Sequence, residues 1–120
     1  EWGGALSSFE KNFDDSGNKI NSDFTYNTIG FDIDKLVELT KIPFPDHVKI
    51  DVDGLEHFIL SGAQKVINRA KTVLIEINDN FIEQRDVSEK YMKNAGFKLV
   101  KKVHTESINQ PTFNQFWIKT

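Results

Sequence analysis

Hydrophobic and polar positions along the chain change period several times, and each change marks an element. Phe24, Tyr26 and Thr28 alternate with Thr25 and Asn27 and lead into Ile29-Gly30-Phe31, so residues 24–31 read as a strand. Asp32 stands where a helix cap belongs. Ile33, Leu36, Val37 and Thr40 then fall at i, i+3, i+4 and i+7, one face of a short helix that Pro43 and Pro45 end. The run His47-Val48-Lys49-Ile50-Asp51-Val52-Asp53 predicts the clearest strand, closed by the turn signal Asp53-Gly54. From Leu55 the period lengthens again. Phe58, Ile59, Ala63, Val66 and Ile67 can pack inward from a helix that Gly62 kinks or interrupts. Residues 72–77, Thr-Val-Leu-Ile-Glu-Ile, are nearly continuous in apolar character, as suits a strand covered on both faces. Asp86-Val87-Ser88-Glu89 resembles a capping box. The helix it opens carries Val87, Tyr91, Met92 and Ala95 on one stripe, with Gly96 as its C-terminal cap. Residues 97–104 and 112–119 read as the last two strands, with Phe113 and Trp117 for packing.

Strands that alternate with helices predict an α/β layered sheet, mainly parallel, with right-handed crossovers. Strands 48–53 and 73–77 should be neighbours. The last strand follows its predecessor through a loop alone, so it should run antiparallel beside residues 97–104. Residues 1–22 are the least patterned and read as a loop-rich segment with a turn at Asp14-Asp15-Ser16-Gly17-Asn18. Phe9 and Phe13 stand four apart, which fits one face of a short helix or two aromatic anchors of a surface loop.

Composition narrows the function classes. The 120 residues form one domain, and a hydrophobic share of 38% is enough to bury a core. With 15 Lys+Arg against 18 Asp+Glu the net charge is -3, which disfavours a nucleic-acid module. The absence of cysteine excludes a disulfide framework, a thiolate zinc site and a cysteine nucleophile. No apolar run approaches the ~20 residues of a membrane span, and no signal peptide is visible, so a cytoplasmic location is expected. The start at Glu1 suggests a trimmed or fragmentary chain.

Chemistry concentrates in Lys49-Ile50-Asp51-Val52-Asp53-Gly54-Leu55-Glu56. Ligands of open α/β sheets bind outside the carboxyl ends of the strands, and Asp51, Asp53 and Glu56 converge there. Carboxylates are costly at a sheet core without partners. Asp53 and Glu56 also fit a helix cap and its capping-box partner, whereas Asp51 interrupts a core strand and points to function. Glu76 and Asn78 end the neighbouring strand at the same sheet edge, where Asn78 or Asn80 could equally cap a helix. His47, His57 and His104 lack metal-ligand spacing and read as surface or packing residues. No metal site is expected, and no Gly-x-Gly-x-x-Gly, Walker loop or Gly-x-Ser-x-Gly elbow occurs.

The run from Val48 to Ala63, Val-Lys-Ile-Asp-Val-Asp-Gly-Leu-Glu-His-Phe-Ile-Leu-Ser-Gly-Ala, closely resembles the central motif of FkbM-like methyltransferases. Asp53 replaces the commoner Glu of that motif. Val73-Leu74-Ile75-Glu76-Ile77 is similar to the family's next strand, and Ala95-Gly96-Phe97 to its step into the following one. Asn114-Gln115-Phe116-Trp117 is similar to its closing strand. Ser7-Ser8-Phe9 is similar to a serine-rich loop, and Phe31-Asp32 to the Leu-Asp before a helix.

The resemblance implies a Rossmann-like methyltransferase sheet, mostly parallel with an antiparallel last strand. It implies S-adenosylmethionine as cofactor and a hydroxyl of a sugar or other small molecule as acceptor. In that fold the cofactor lies on a glycine-rich loop after the first strand, with an acidic residue after the second. Neither occurs in this chain, which therefore reads as the C-terminal half of the domain. By the same resemblance Asp53 or Glu56 is the base, Asp51 and Gly54 shape the turn beside the cofactor, and Glu76 and Asn78 hydrogen-bond the acceptor. The chain alone is expected to bind the cofactor weakly or not at all. It is also expected to self-associate through the open edge of strand 48–53. Two other readings stay open. Asp51 and Asp53 fit the Asp-x-Asp-Gly of haloacid-dehalogenase-type phosphatases, although Leu55 stands where Thr is usual. A half-domain also fits a non-catalytic assembly module.

Overall fold

A computed structural model describes residues 11–14, 16–19, 21, 26–105 and 108–120. Its elements run α1 (Ile33–Thr40), β1 (His47–Ile50), α2 (Glu56–Ser61), α3 (Gln64–Arg69), β2 (Thr72–Asn78), α4 (Ile82–Asn94), β3 (Phe97–His104) and β4 (Thr112–Lys119). One mixed sheet forms in the order β1-β2-β4-β3. β1 and β2 pair parallel, and β4 lies antiparallel between β2 and β3. Three strands thus share one direction and the last opposes them. Its antiparallel pairing with β3 follows from the short β3–β4 connection, which leaves no room for a crossover helix. Because β4 has two antiparallel neighbours, only one of the three pairings is parallel.

The core lies on one face of the sheet. Val73, Ile75 and Ile77 of β2 and Trp117 of β4 meet Leu60, Ala63, Ile67 and Met92 from the helices. Phe97, Ala70 and Ile50 close its margins. The alternate residues of β2, Thr72, Leu74 and Glu76, are only half-buried. In register with them on β4 are Ile118, Phe116 and Asn114. Residues 72–77 read as two-sided because their apolar run is continuous, but the helices cover one side of them among the described residues.

Asp32 caps α1 as expected, its Oδ1 accepting from the N–H of Lys35 at 2.7 Å. Of the anticipated helix face only Val37 is buried. Asp34 extends from α1 to accept the N–H groups of Lys65 and Val66, supplying α3 with the cap that Ala63 lacks. Gly62 separates α2 from α3, as its position predicts. A Cβ there would come within 2.7 Å of Asp32 Cβ, so the close approach of α1 requires glycine. Gly96, at φ +82, ends α4.

Several boundaries differ from expectation. Residues 26–31 form no strand, and Tyr26, Ile29 and Phe31 are exposed; residues 22–25 lie outside the described ones. Alternation without a sheet partner does not make a strand. β1 ends at Ile50 rather than Asp53, and beyond it Asp53 (φ 53) and Gly54 (φ 98) both turn left-handed. Phe58 and Ile59 stay exposed by more than a third. Phe58 packs instead on Phe13 and His57. α4 starts at Ile82, so Asp86 is an interior helix residue and not a cap. The turn at Asp14 is present: Asp14 Oδ1 accepts from the N–H groups of Ser16 and Asn18. Phe13 makes an isolated bridge with Lys19, whereas Phe9 lies outside the described residues. No helix among the described residues is long and apolar enough to cross a membrane.

Candidate active site

Parallel pairing of β1 and β2 brings their carboxyl ends to the same edge of the sheet. The segment after β1 carries Asp51, Asp53, Gly54 and Glu56, and the end of β2 carries Glu76 and Asn78. Asp51 is exposed and pairs with Lys49, Oδ2 to Nζ 2.8 Å. Asp53 is half-buried, and Gly54 behind it is buried. Two successive left-handed residues fold the backbone back so that α2 starts beneath the turn.

Glu56 and Glu76 meet different fates at this edge. Glu56 is 1% exposed, yet its Oε1 accepts from the N–H of Val52 at 3.0 Å and its Oε2 from Nε2 of Gln84. Burial pushes its carboxyl above the ordinary range, while backbone N–H groups of Val52, Glu56 and Gly54 and the Gln84 amide pull the other way. Glu76 is half-buried on the uncovered face. Burial first, then the charges of Asp51, Glu56 and Asp53 and a shared hydrogen bond with Asp51, push it up to about 7. The four carboxyls are therefore close enough for the other three to act on Glu76.

Asn78 is buried and used locally. Its N–H donates to Oε1 of Gln84 (2.8 Å), its Oδ1 accepts from the N–H of Asn80 (3.0 Å), and its Nδ2 donates to Ser16 Oγ (3.3 Å). The sequence pattern does not single out Gln84, because the capping-box signal at Asp86 places the helix start there and leaves residue 84 in a loop. Starting α4 at Ile82 puts Gln84 in its first turn, where its amide meets Asn78 at the end of β2 and Glu56 at the start of α2. The one signal was its position six residues past the end of β2.

The histidines follow no common plan. His47 Nδ1 meets Thr72 Oγ1 at 2.7 Å, and His104 Nδ1 meets the carbonyl of Gln110 at 3.0 Å. His57 is buried against Phe58 and Phe81 with neither ring nitrogen hydrogen-bonded. Burial lowers its pKa, because it penalises the charged ring. Among the described residues no three histidines or acids form a metal site. A separate groove of about 490 Å³ between α4 and the β3–β4 pair is lined by Arg85, Lys93, Lys98 and Lys102 together with Asp79, Glu89 and Trp117. Asp51, Asp53, Glu56 and Glu76 do not line it.

The fold and this edge define an α/β domain with an acidic site at the carboxyl ends of two parallel strands. The family model for the methyltransferase FkbM domain matches residues 3–99, from the N-terminal segment into β3. The chain belongs to the FkbM methyltransferase domain family. The closing strand, where Asn114 to Trp117 resembled the family, lies beyond the matched residues. Comparison with curated proteins gave no match, and comparison with solved structures gave none either. Membership of a methyltransferase family leaves the Asp51-x-Asp53-Gly54 likeness to phosphatases as a strand followed by an acidic turn.

Proposed function

We propose that the chain forms the acceptor-side wall of an S-adenosylmethionine-dependent O-methyltransferase. Its acceptor is a hydroxyl of a sugar or other small molecule, and Glu76 takes the hydroxyl proton. The observation that carries this reading is the position of Glu76. Its carboxyl is half-buried, shares a hydrogen bond with Asp51 and exchanges its proton at about pH 7, where a general base works best. Glu56 is a poorer base because both its oxygens already accept hydrogen bonds from the protein. Asn78 is likewise engaged, so acceptor contacts fall to Glu76 and Asp53.

The residues present fit the charged part of the cofactor. Asp51, Asp53, Glu56 and Glu76 crowd negative charge at one edge, which a sulfonium and an ammonium would relieve. Asp51 and the Asp53–Gly54 turn would face it. When bound, S-adenosylmethionine supplies an electrophilic methyl group on sulfur. The chain's own part is to align the acceptor oxygen and receive its proton on a Glu76 carboxylate oxygen. The remaining cofactor wall belongs, in this reading, to another segment pairing with β1. The edge of β1 away from β2 has no strand partner among the described residues, which supports such pairing, with a second chain or with the other half of the domain.

Methyl transfer from labelled S-adenosylmethionine to a panel of sugars and polyols tests the proposal, with calorimetric titration of the cofactor beside it. Transfer to a hydroxyl acceptor that Glu76→Gln abolishes supports it. Transfer that is unchanged in Glu76→Gln, or that occurs only to nitrogen acceptors, overturns it.

A further inference from the structure

Gln84 is 2% exposed in the first turn of α4, and its side chain joins the end of β2 to the start of α2. Nε2 donates to Oε2 of Glu56, and Oε1 accepts from the N–H of Asn78 at 2.8 Å. Glu56 in turn accepts from the N–H of Val52 at 3.0 Å. A continuous chain of hydrogen bonds, buried at its Glu56–Gln84–Asn78 links, therefore runs from the turn after β1, through α2 and α4, to the last residue of β2. Asp51, Asp53 and Glu76 all sit on the backbone segments that this chain ties together. A primary amide presents a donor and an acceptor in one rigid plane, so a single side chain satisfies a carboxylate and a backbone N–H at once. An aliphatic side chain of similar length offers neither.

We propose that Gln84 is a positioning residue for the acidic site: it fixes the spacing of the two strand-end turns and supplies the side-chain donor to the Glu56 carboxyl behind Glu76. The catalytic consequence rests on the reading of Glu76 as the proton acceptor, whereas the coupling itself belongs to the chain alone. The charged groups facing Glu76 are Asp51 and Lys49 from the β1 side, Asp53 from the turn and Glu56 from α2. Its register neighbour on β4, Asn114, is neutral. Losing the Gln84 donor leaves Glu56 buried with one hydrogen bond fewer, which favours its uncharged form. Less negative charge then stands behind Glu76, and Glu76 ionises at lower pH.

Carboxyl ¹³C NMR titration of the chain, as wild type, Gln84→Met, Glu56→Gln and the double variant, reads this directly. In Gln84→Met the Glu56 midpoint should rise, and that of Glu76 should fall from about 7 by roughly half a pH unit or more. Glu56→Gln should lower the Glu76 midpoint similarly, and the double variant should add nothing further, as expected for one pathway. Gln84→Asn, one methylene too short to span both partners, should act in the same direction and serves if the methionine variant does not fold. Unchanged midpoints in either folded variant, or additive effects in the double variant, overturn the proposal. Failure of both to fold would assign Gln84 a purely structural part and overturn it as well. These titrations need neither cofactor nor acceptor, so they stand or fall separately from the methyltransferase assay.

Discussion

Two glutamates at the same sheet edge show that burial alone does not decide what an acid does. Glu56 is almost wholly buried, yet its surroundings are donors: the N–H of Val52 and the amide of Gln84. Glu76 is far more open, yet its neighbours are acids, and it holds its proton to about pH 7. The first arrangement builds a frame, because every lone pair used inside the protein is withdrawn from chemistry. The second leaves a carboxyl that ionises near neutrality and meets solvent, the property that the proposed proton transfer uses.

The largest expected effect separates the two directly. In methyl-transfer assays of the full protein, Glu76→Gln should lower turnover by about 10²-fold or more, the scale of a lost general base. Asp53→Asn should cost less; if Asp53→Asn is the more damaging variant, the base sits on the turn and the comparison is inverted. Next comes the frame. Glu56→Leu strands the Val52 N–H and the Gln84 amide, and urea unfolding should show a loss of about 2–3 kcal/mol. A loss within experimental error would mean that water replaces the carboxylate and that the relay is not structural.

The pH dependence of stability sharpens the contrast further. Glu76 has a folded-state pKa raised above its unfolded value, so its contribution is fully present below about 4.5 and is lost as pH rises through about 7. Glu76→Gln should remove that slope and leave the protein more stable than wild type at pH 8, by about 1 kcal/mol after allowance for solvent screening. Thermal melts from pH 5 to pH 8 read the difference, and parallel curves for the two proteins would refute it. The smallest effect concerns the neighbour of Glu56. His57 is buried with both ring nitrogens unpaired, so His57→Phe should be neutral or stabilising by up to about 1 kcal/mol. A clear destabilisation would reveal a partner for the imidazole.

The legibility of this molecule followed the range of the interactions. Residues 47–50, 72–77, 97–104 and 112–119 were readable as strands because β-branched and aromatic runs bounded by turn residues carry their own signal. The Asp32 cap, the Gly62 break and the Gly96 stop were readable for the same reason, since each acts within a few residues. The motif around Asp51-Val52-Asp53-Gly54 pointed to the family, and the family match agrees with it. Residues 26–31 misled because alternation describes a strand only when a neighbouring strand is present to accept it. The start of α4 carries no local signal, because Phe81, its N-cap, provides no side-chain hydrogen bond, while Asp86-Val87-Ser88-Glu89 imitates a cap inside the helix.

The sequence by itself determined which carboxylates gather at one end of the sheet, because strand direction and turn position suffice to place Asp51, Asp53, Glu56 and Glu76 there. Tertiary structure alone decided how they differ. Whether an acid meets donors or other acids depends on residues distant in the chain: Gln84 lies 28 positions from Glu56, and Asp51 comes beside Glu76 only through the pairing of β1 with β2. Local propensity acts over a turn or two of chain, but the electrostatics of a site are summed over whatever packing brings within a few ångströms.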